Sequence, residues 1–86
     1  AQMTAFETEE EIDILSYVIE SLNTNISYLE TISLKNGKYN LYIAQLIETC
    51  INLESEKDDL MQNLDNFSIE DLKDASIERL KKNNEY

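Results

Sequence analysis

Only one point in this chain is built to stop a helix. Proline is absent from its 86 residues, and the single glycine is Gly37. Proline removes a helical hydrogen bond and glycine costs backbone entropy, so their scarcity favours long helices interrupted near residue 37.

The apolar spacing agrees. Ile12, Leu15, Ile19, Leu22, Ile26 and Leu29 are separated by alternating steps of three and four residues. That is a heptad seam with isoleucine at a and leucine at d, far from the period of two that marks a strand. The spacing predicts a first helix over 8–34. Thr8 followed by Glu11 reads as a capping box, in which each residue satisfies the other's free backbone amide. Glu9, Glu10 and Glu11 would then sit at the positive end of the helix dipole.

The run Lys35-Asn36-Gly37-Lys38 is the stop. Glycine can take the left-handed conformation that closes a helix, and a short polar turn makes consecutive helices antiparallel neighbours. Ile43, Leu46, Cys50, Leu53, Lys57, Leu60 and Leu64 continue the same rhythm and predict a second helix over 39–65. Cys50 is expected to act as a small buried hydrophobe. Lys57 either marks an opening of the hairpin or lays its stem along the seam. Ser68 with Asp71 is a second capping box, and Phe67 can staple onto Leu72. A third, shorter helix is expected over 68–82, with Ile69, Leu72, Ser76, Ile77 and Leu80 as its inward face, and residues 83–86 should fray. The fold class is therefore all-α: an antiparallel hairpin of two long helices plus a shorter C-terminal helix.

The apolar stripes are wider than a two-stranded hairpin needs. Ile14, Val18, Tyr28 and Ile32 extend the first seam sideways, and Ile47 and Ile51 extend the second. Each long helix should therefore touch more than one neighbour. A third helix of about 22 Å cannot cover a first helix of nearly ~40 Å. A chain this short also buries only about 60–65% of its unfolded surface. These features predict a homodimer, most simply an antiparallel four-helix arrangement of two hairpins.

Composition excludes much chemistry. Histidine is absent and Cys50 is the one cysteine, so zinc fingers, Cys–His dyads, internal disulfides and Glu-x-x-His di-iron sites cannot be written. A single glycine allows no phosphate-binding loop. The carboxylates Glu7, Glu9, Glu10, Glu11, Asp13, Glu54, Glu56, Asp58 and Asp59 fall on outer heptad positions and read as ordinary solvated groups. The calcium-loop pattern is also missing. No catalytic residue, cofactor or metal is expected, and the chain is not read as an enzyme. Asn25-Ile26-Ser27 and Asn66-Phe67-Ser68 match glycosylation sequons, but one lies within a helix and the other is better explained as a cap.

The net charge is -11. Such a chain is repelled by nucleic-acid backbones and anionic lipid headgroups, so direct binding to nucleic acid is not expected. No segment is long and apolar enough to cross a bilayer, and no signal peptide is expected. A reducing, cytoplasmic compartment fits the lone cysteine. Residues 1–34 hold seven acidic residues and no basic one, whereas the third helix is nearly balanced. The partner is expected to be a protein, and a basic one suits the charge. Tyr17, on an outward row beside Asp13 and Glu20, is a candidate contact because tyrosine is enriched in interface hot spots.

Two functions from different classes follow. One is a non-enzymatic helical interaction module (an adaptor, chaperone or regulatory subunit) that binds through Ile14, Val18, Ile32, Ile47 and Ile51 and through Asp13, Tyr17 and Glu20. The alternative is an acidic inhibitor that mimics nucleic acid in a basic groove. Exposed apolar patches favour the first; continuous outward rows of carboxylates favour the second.

Overall fold

The computed structural model describes residues 2–84. Three helices follow in order: α1 (Ala5–Ser33), α2 (Asn40–Leu64) and α3 (Ile69–Asn84), with no strand among the described residues. The all-α reading and the hairpin hold. Asn83 and Asn84 extend α3 beyond the expected end at residue 82. Glu85 and Tyr86, also expected to fray, lie outside the described residues.

The start of α1 differs by one turn. Thr4, not Thr8, is its cap: the Glu7 amide donates to Thr4 Oγ1 at 3.1 Å, and the Thr4 amide donates to Glu7 Oε1 at 2.9 Å. Both Thr-x-x-Glu spacings fit a capping box, and sequence spacing alone does not choose between them. Packing chooses. Ala5 and Thr8 continue the seam one heptad toward the N-terminus and are buried. The hydroxyl of Thr8 donates to Thr4 O at 2.8 Å, so its burial leaves no polar atom unpaired.

The Thr4 amide holds the Glu7 carboxyl below its ordinary range. A carboxylate with a lowered folded pKa stabilises above its unfolded value and ceases to do so as pH falls through the lowered one. Thr4→Ala is expected to cost about 1 kcal/mol. Glu7→Gln is expected to lower stability in the neutral region and to leave it nearly unchanged in strong acid, where Glu7 is already protonated, so that the acid limb flattens. Thermal unfolding followed by circular dichroism across pH reads both effects.

The seam is where the spacing places it. Leu15, Ile19 and Ile26 of α1 and Ile43 and Cys50 of α2 are buried, while Ile12, Leu22, Leu29, Leu46, Leu53, Lys57, Leu60 and Leu64 are half-buried. Ser33 extends it by a further step and is also buried. The turn is tied there: Ser33 Oγ donates to Asn40 Oδ1 at 2.8 Å and accepts from the Tyr39 amide at 3.3 Å. Gly37 sits at φ 65, and its amide donates to Ser33 O at 2.7 Å. A side chain at that φ would be strained, and an added Cβ would lie 3.0 Å from Asn40 Nδ2. Antiparallel pairing continues up the hairpin, where Cys50 Sγ lies 3.4 Å from Asn23 Oδ1.

Helix α3 departs from expectation. The Asp71 amide donates to Ser68 Oγ at 3.1 Å, as the cap predicts. The inward face, however, is Leu72, Ala75 and Arg79. Ile69, Ser76, Ile77 and Leu80, expected to face inward with Leu72, are exposed. This rotation brings the bases of α3 onto the acidic start of α1. Arg79 donates to Glu9 at 2.9 Å and also pairs with Asp13, while Lys82 pairs with Glu10. Turning the apolar stripe inward would forfeit these pairs against the most acidic stretch of the chain. Small Ala75, 2% exposed, lets the helices approach. Helix α3 thus runs parallel to α1, touching its first turns and not α2.

The result is a rod. Its radius of gyration is 17.3 Å and its extents are 55 × 29 × 19 Å. A compact chain of this length would have a radius near 12 Å.

Candidate functional site

Among the described residues there is no group of three or more metal-ligating side chains, and no helix is long and apolar enough to cross a membrane. An open notch of about 590 Å³ lies at the end of the hairpin, bordered by Met3, Thr8, Leu60, Asn63, Phe67 and Asp71. Asp71 is the one titratable group lining it, so it offers no acid–base pair.

The surface offers more. Ile14 is 55% exposed and Ile51 is 59% exposed, and Val18, Ile32 and Ile47 are exposed as well. Tyr17, Asp13 and Glu20 also face solvent. These residues do not form one patch. The ion pairs place α3 against Glu9, Glu10 and Asp13, on the e, f and b rows of α1. Ile14, Val18, Tyr28 and Ile32 occupy its c and g rows, on the opposite flank of the seam. On α2, Ile47 and Ile51 occupy e and b. In an antiparallel pair e rows share one face and g rows the other. The α1 stripe and the α2 stripe therefore lie on opposite faces of the hairpin.

Asp13 has a partner within the chain, Arg79, and so belongs to the α3 contact as well as to the surface. Burial of the Glu9 contact and the charge of Asp13 are both felt at Arg79, where hydrogen bonding to Glu9 is the largest effect and holds the guanidinium pKa above its ordinary value. The spacing of residues did not reveal this network. The signal available was the charge division: an acidic first helix with no base, and a third helix carrying Arg79 and Lys82 three residues apart.

Cys50 is 5% exposed. Burial chiefly, and then the nearby Glu54 carboxylate, push its thiol pKa up. Both effects suppress the thiolate, which is the reactive form. A disulfide-exchange reagent at neutral pH is expected to modify Cys50 slowly in the native protein and fully after unfolding in denaturant. Fast labelling of the native chain would contradict that placement.

No protein-family model, curated protein or solved structure matches the chain.

Proposed function

We propose that this protein is a non-enzymatic, acidic helical interaction module, an adaptor, chaperone or regulatory subunit of the cytoplasm, that binds a protein partner and self-associates as a homodimer. The observation that carries this reading is the pair of exposed apolar stripes, Ile14–Val18–Ile32 on α1 and Ile47–Ile51 on α2. Fully covering an aliphatic side chain of this size gains about 1.5–3 kcal/mol, so a stripe of several is a usable binding surface. Carboxylates such as Glu20 on the outer rows steer a basic partner toward it.

The nucleic-acid mimic ranks second. Its rows of negative charge are interrupted along the first turns of α1, where Glu9, Glu10 and Asp13 are engaged by Arg79 and Lys82. The apolar stripes have no such internal partner.

Affinity capture with the wild-type chain, repeated with Ile14→Lys and Ile51→Lys, tests the module. A protein captured by the wild type and lost from one variant supports it. A captured set unchanged by both variants overturns it. Glu20→Lys isolates the electrostatic part, because reversing Asp13 would also disturb α3. It should slow association more than it speeds dissociation, and affinity unchanged between low and high salt would refute electrostatic steering.

A further inference from the structure

The α1 flank opposite α3 has a symmetry that identifies what covers it. The apolar part of its c and g rows runs from Ile14 to Ile32, with Glu11 before it and Lys35 after it, in the turn just past the end of α1. The midpoint is level with Asn23. About that midpoint, Ile14 and Ile32 are equidistant, as are Val18 and Tyr28, and Ser21 and Asn25. Glu11 and Lys35 mark the two ends. The apolar positions are therefore palindromic, while the charge changes sign from one end to the other.

We propose that this flank docks a second copy of the same chain, with the two α1 helices antiparallel about a twofold axis at the level of Asn23. The inference rests on the reading of the flank as a binding surface and names its occupant. In that arrangement Ile14 of each chain meets Ile32 of the other, and Val18 meets Tyr28. The short side chains Ser21 and Asn25 meet at the centre, where they let the backbones approach and can hydrogen-bond. Glu11 at one end faces Lys35 at the other. Lys35 is the first base in the sequence, after seven acidic residues with none between. A basic foreign partner would favour acid at both ends of the stripe. Acid at one end and base at the other is what an antiparallel copy complements.

The adjacent flank of α2 accepts the same axis. Cys50 is level with Asn23, as their 3.4 Å contact fixes. Symmetry about a level between Cys50 and Ile51 sets exposed Tyr42 against Asp59 and exposed Gln45 against Glu56. No carboxylate is turned toward another, which matters for two chains that each carry -11. The apolar stretch from Ile14 to Ile32 is about 27 Å long, the contact length of a helix pair in a four-helix bundle. Ile47 and Ile51, on the opposite face, take no part.

Sedimentation equilibrium at about 100 μM, far above a micromolar dissociation constant, tests this. The wild type should be a dimer. Ile14→Lys, present twice by symmetry, should weaken association at least about hundredfold, and Ile47→Lys should not weaken it. Glu11→Lys and Lys35→Glu should each weaken it about tenfold, and the two together in one chain should restore it to within about threefold. Circular dichroism confirms that each variant keeps its helices. A monomeric wild type overturns the proposal. So does a double variant no better than its singles, or equal loss with Ile47→Lys. A monomer that captures another protein through Ile14 overturns the self-docking alone. A dimer with the expected variant pattern that captures nothing supports the docking and overturns only the wider adaptor reading.

Discussion

Replacing Ile19 by aspartate is expected to unfold the hairpin, while the same substitution one residue earlier, at Val18, leaves its helices standing. Ile19 is 8% exposed and sits mid-seam, whereas Val18 is 36% exposed on the flank. One residue of a helix is a rotation of about 100°, which is enough to move from core to surface. A carboxylate at residue 19 would be held in a buried position on the apolar seam. The cost exceeds about 4 kcal/mol, a large share of the 5–15 kcal/mol that holds a typical domain together. Urea unfolding monitored at 222 nm should show Ile19→Asp without a folded baseline. Val18→Asp should keep native helicity, although it removes an apolar contact from the proposed dimer. Equal losses at the two positions would mean the seam is misplaced.

The second large effect is local. Arg79→Glu should release α3 from α1 and leave the hairpin folded. The contact face of α3 is small: Ala75 is its one buried side chain among the described residues. Exposed ion pairs are usually worth under about 1 kcal/mol each. Here Arg79 bridges two carboxylates, and Glu9 is only 17% exposed at its side chain, so the bridge counts for more than a free surface pair. The substitution removes both bonds and sets a third negative group beside Glu9 and Asp13. A detached helix of sixteen residues is only marginally stable by itself. Hydrogen exchange should therefore show α3 amides losing protection, with α1 and α2 retaining theirs. Unchanged protection in α3 would show that Leu72, Ala75 and Phe67 hold it without charge.

Raising pH should not mimic that variant. The Arg79 pKa is raised, so its contribution is fully present below the ordinary arginine range and is lost only beyond the raised value. Added salt, which screens exposed pairs, should loosen α3 instead.

Much of this was legible without coordinates because it depends on local periodicity. The alternating three–four steps of Ile12 to Leu29 and Ile43 to Leu64 specify which rows of each long helix face a partner. Gly37 specifies the turn, because glycine takes a left-handed φ without strain. The exposure of Ile14, Val18, Ile32, Ile47 and Ile51 follows from the same register. Three things were not legible. Thr4 and Thr8 head identical capping spacings, and only the burial of Ala5 and Thr8 against the rest of the chain selects Thr4. Ser33 and Asn40 lock the turn through a bond between side chains seven residues apart, across a reversal that no helical period describes.

The face of α3 is the clearest case. Its own sequence offers Ile69, Ile77 and Leu80 as the natural buried stripe, and amphipathic periodicity alone would turn them inward. The sequence by itself determined that the third helix exists, where it is capped, and that it carries bases opposite an acidic first helix. Only the tertiary structure decided its rotation. Small Ala75 lets α3 approach α1 closely and seats Arg79 between Glu9 and Asp13, while Ile69, Ile77 and Leu80 stay exposed. Close approach at a small residue and long-range charge pairing are not periodic, so the spacing of apolar residues did not reveal the rotation.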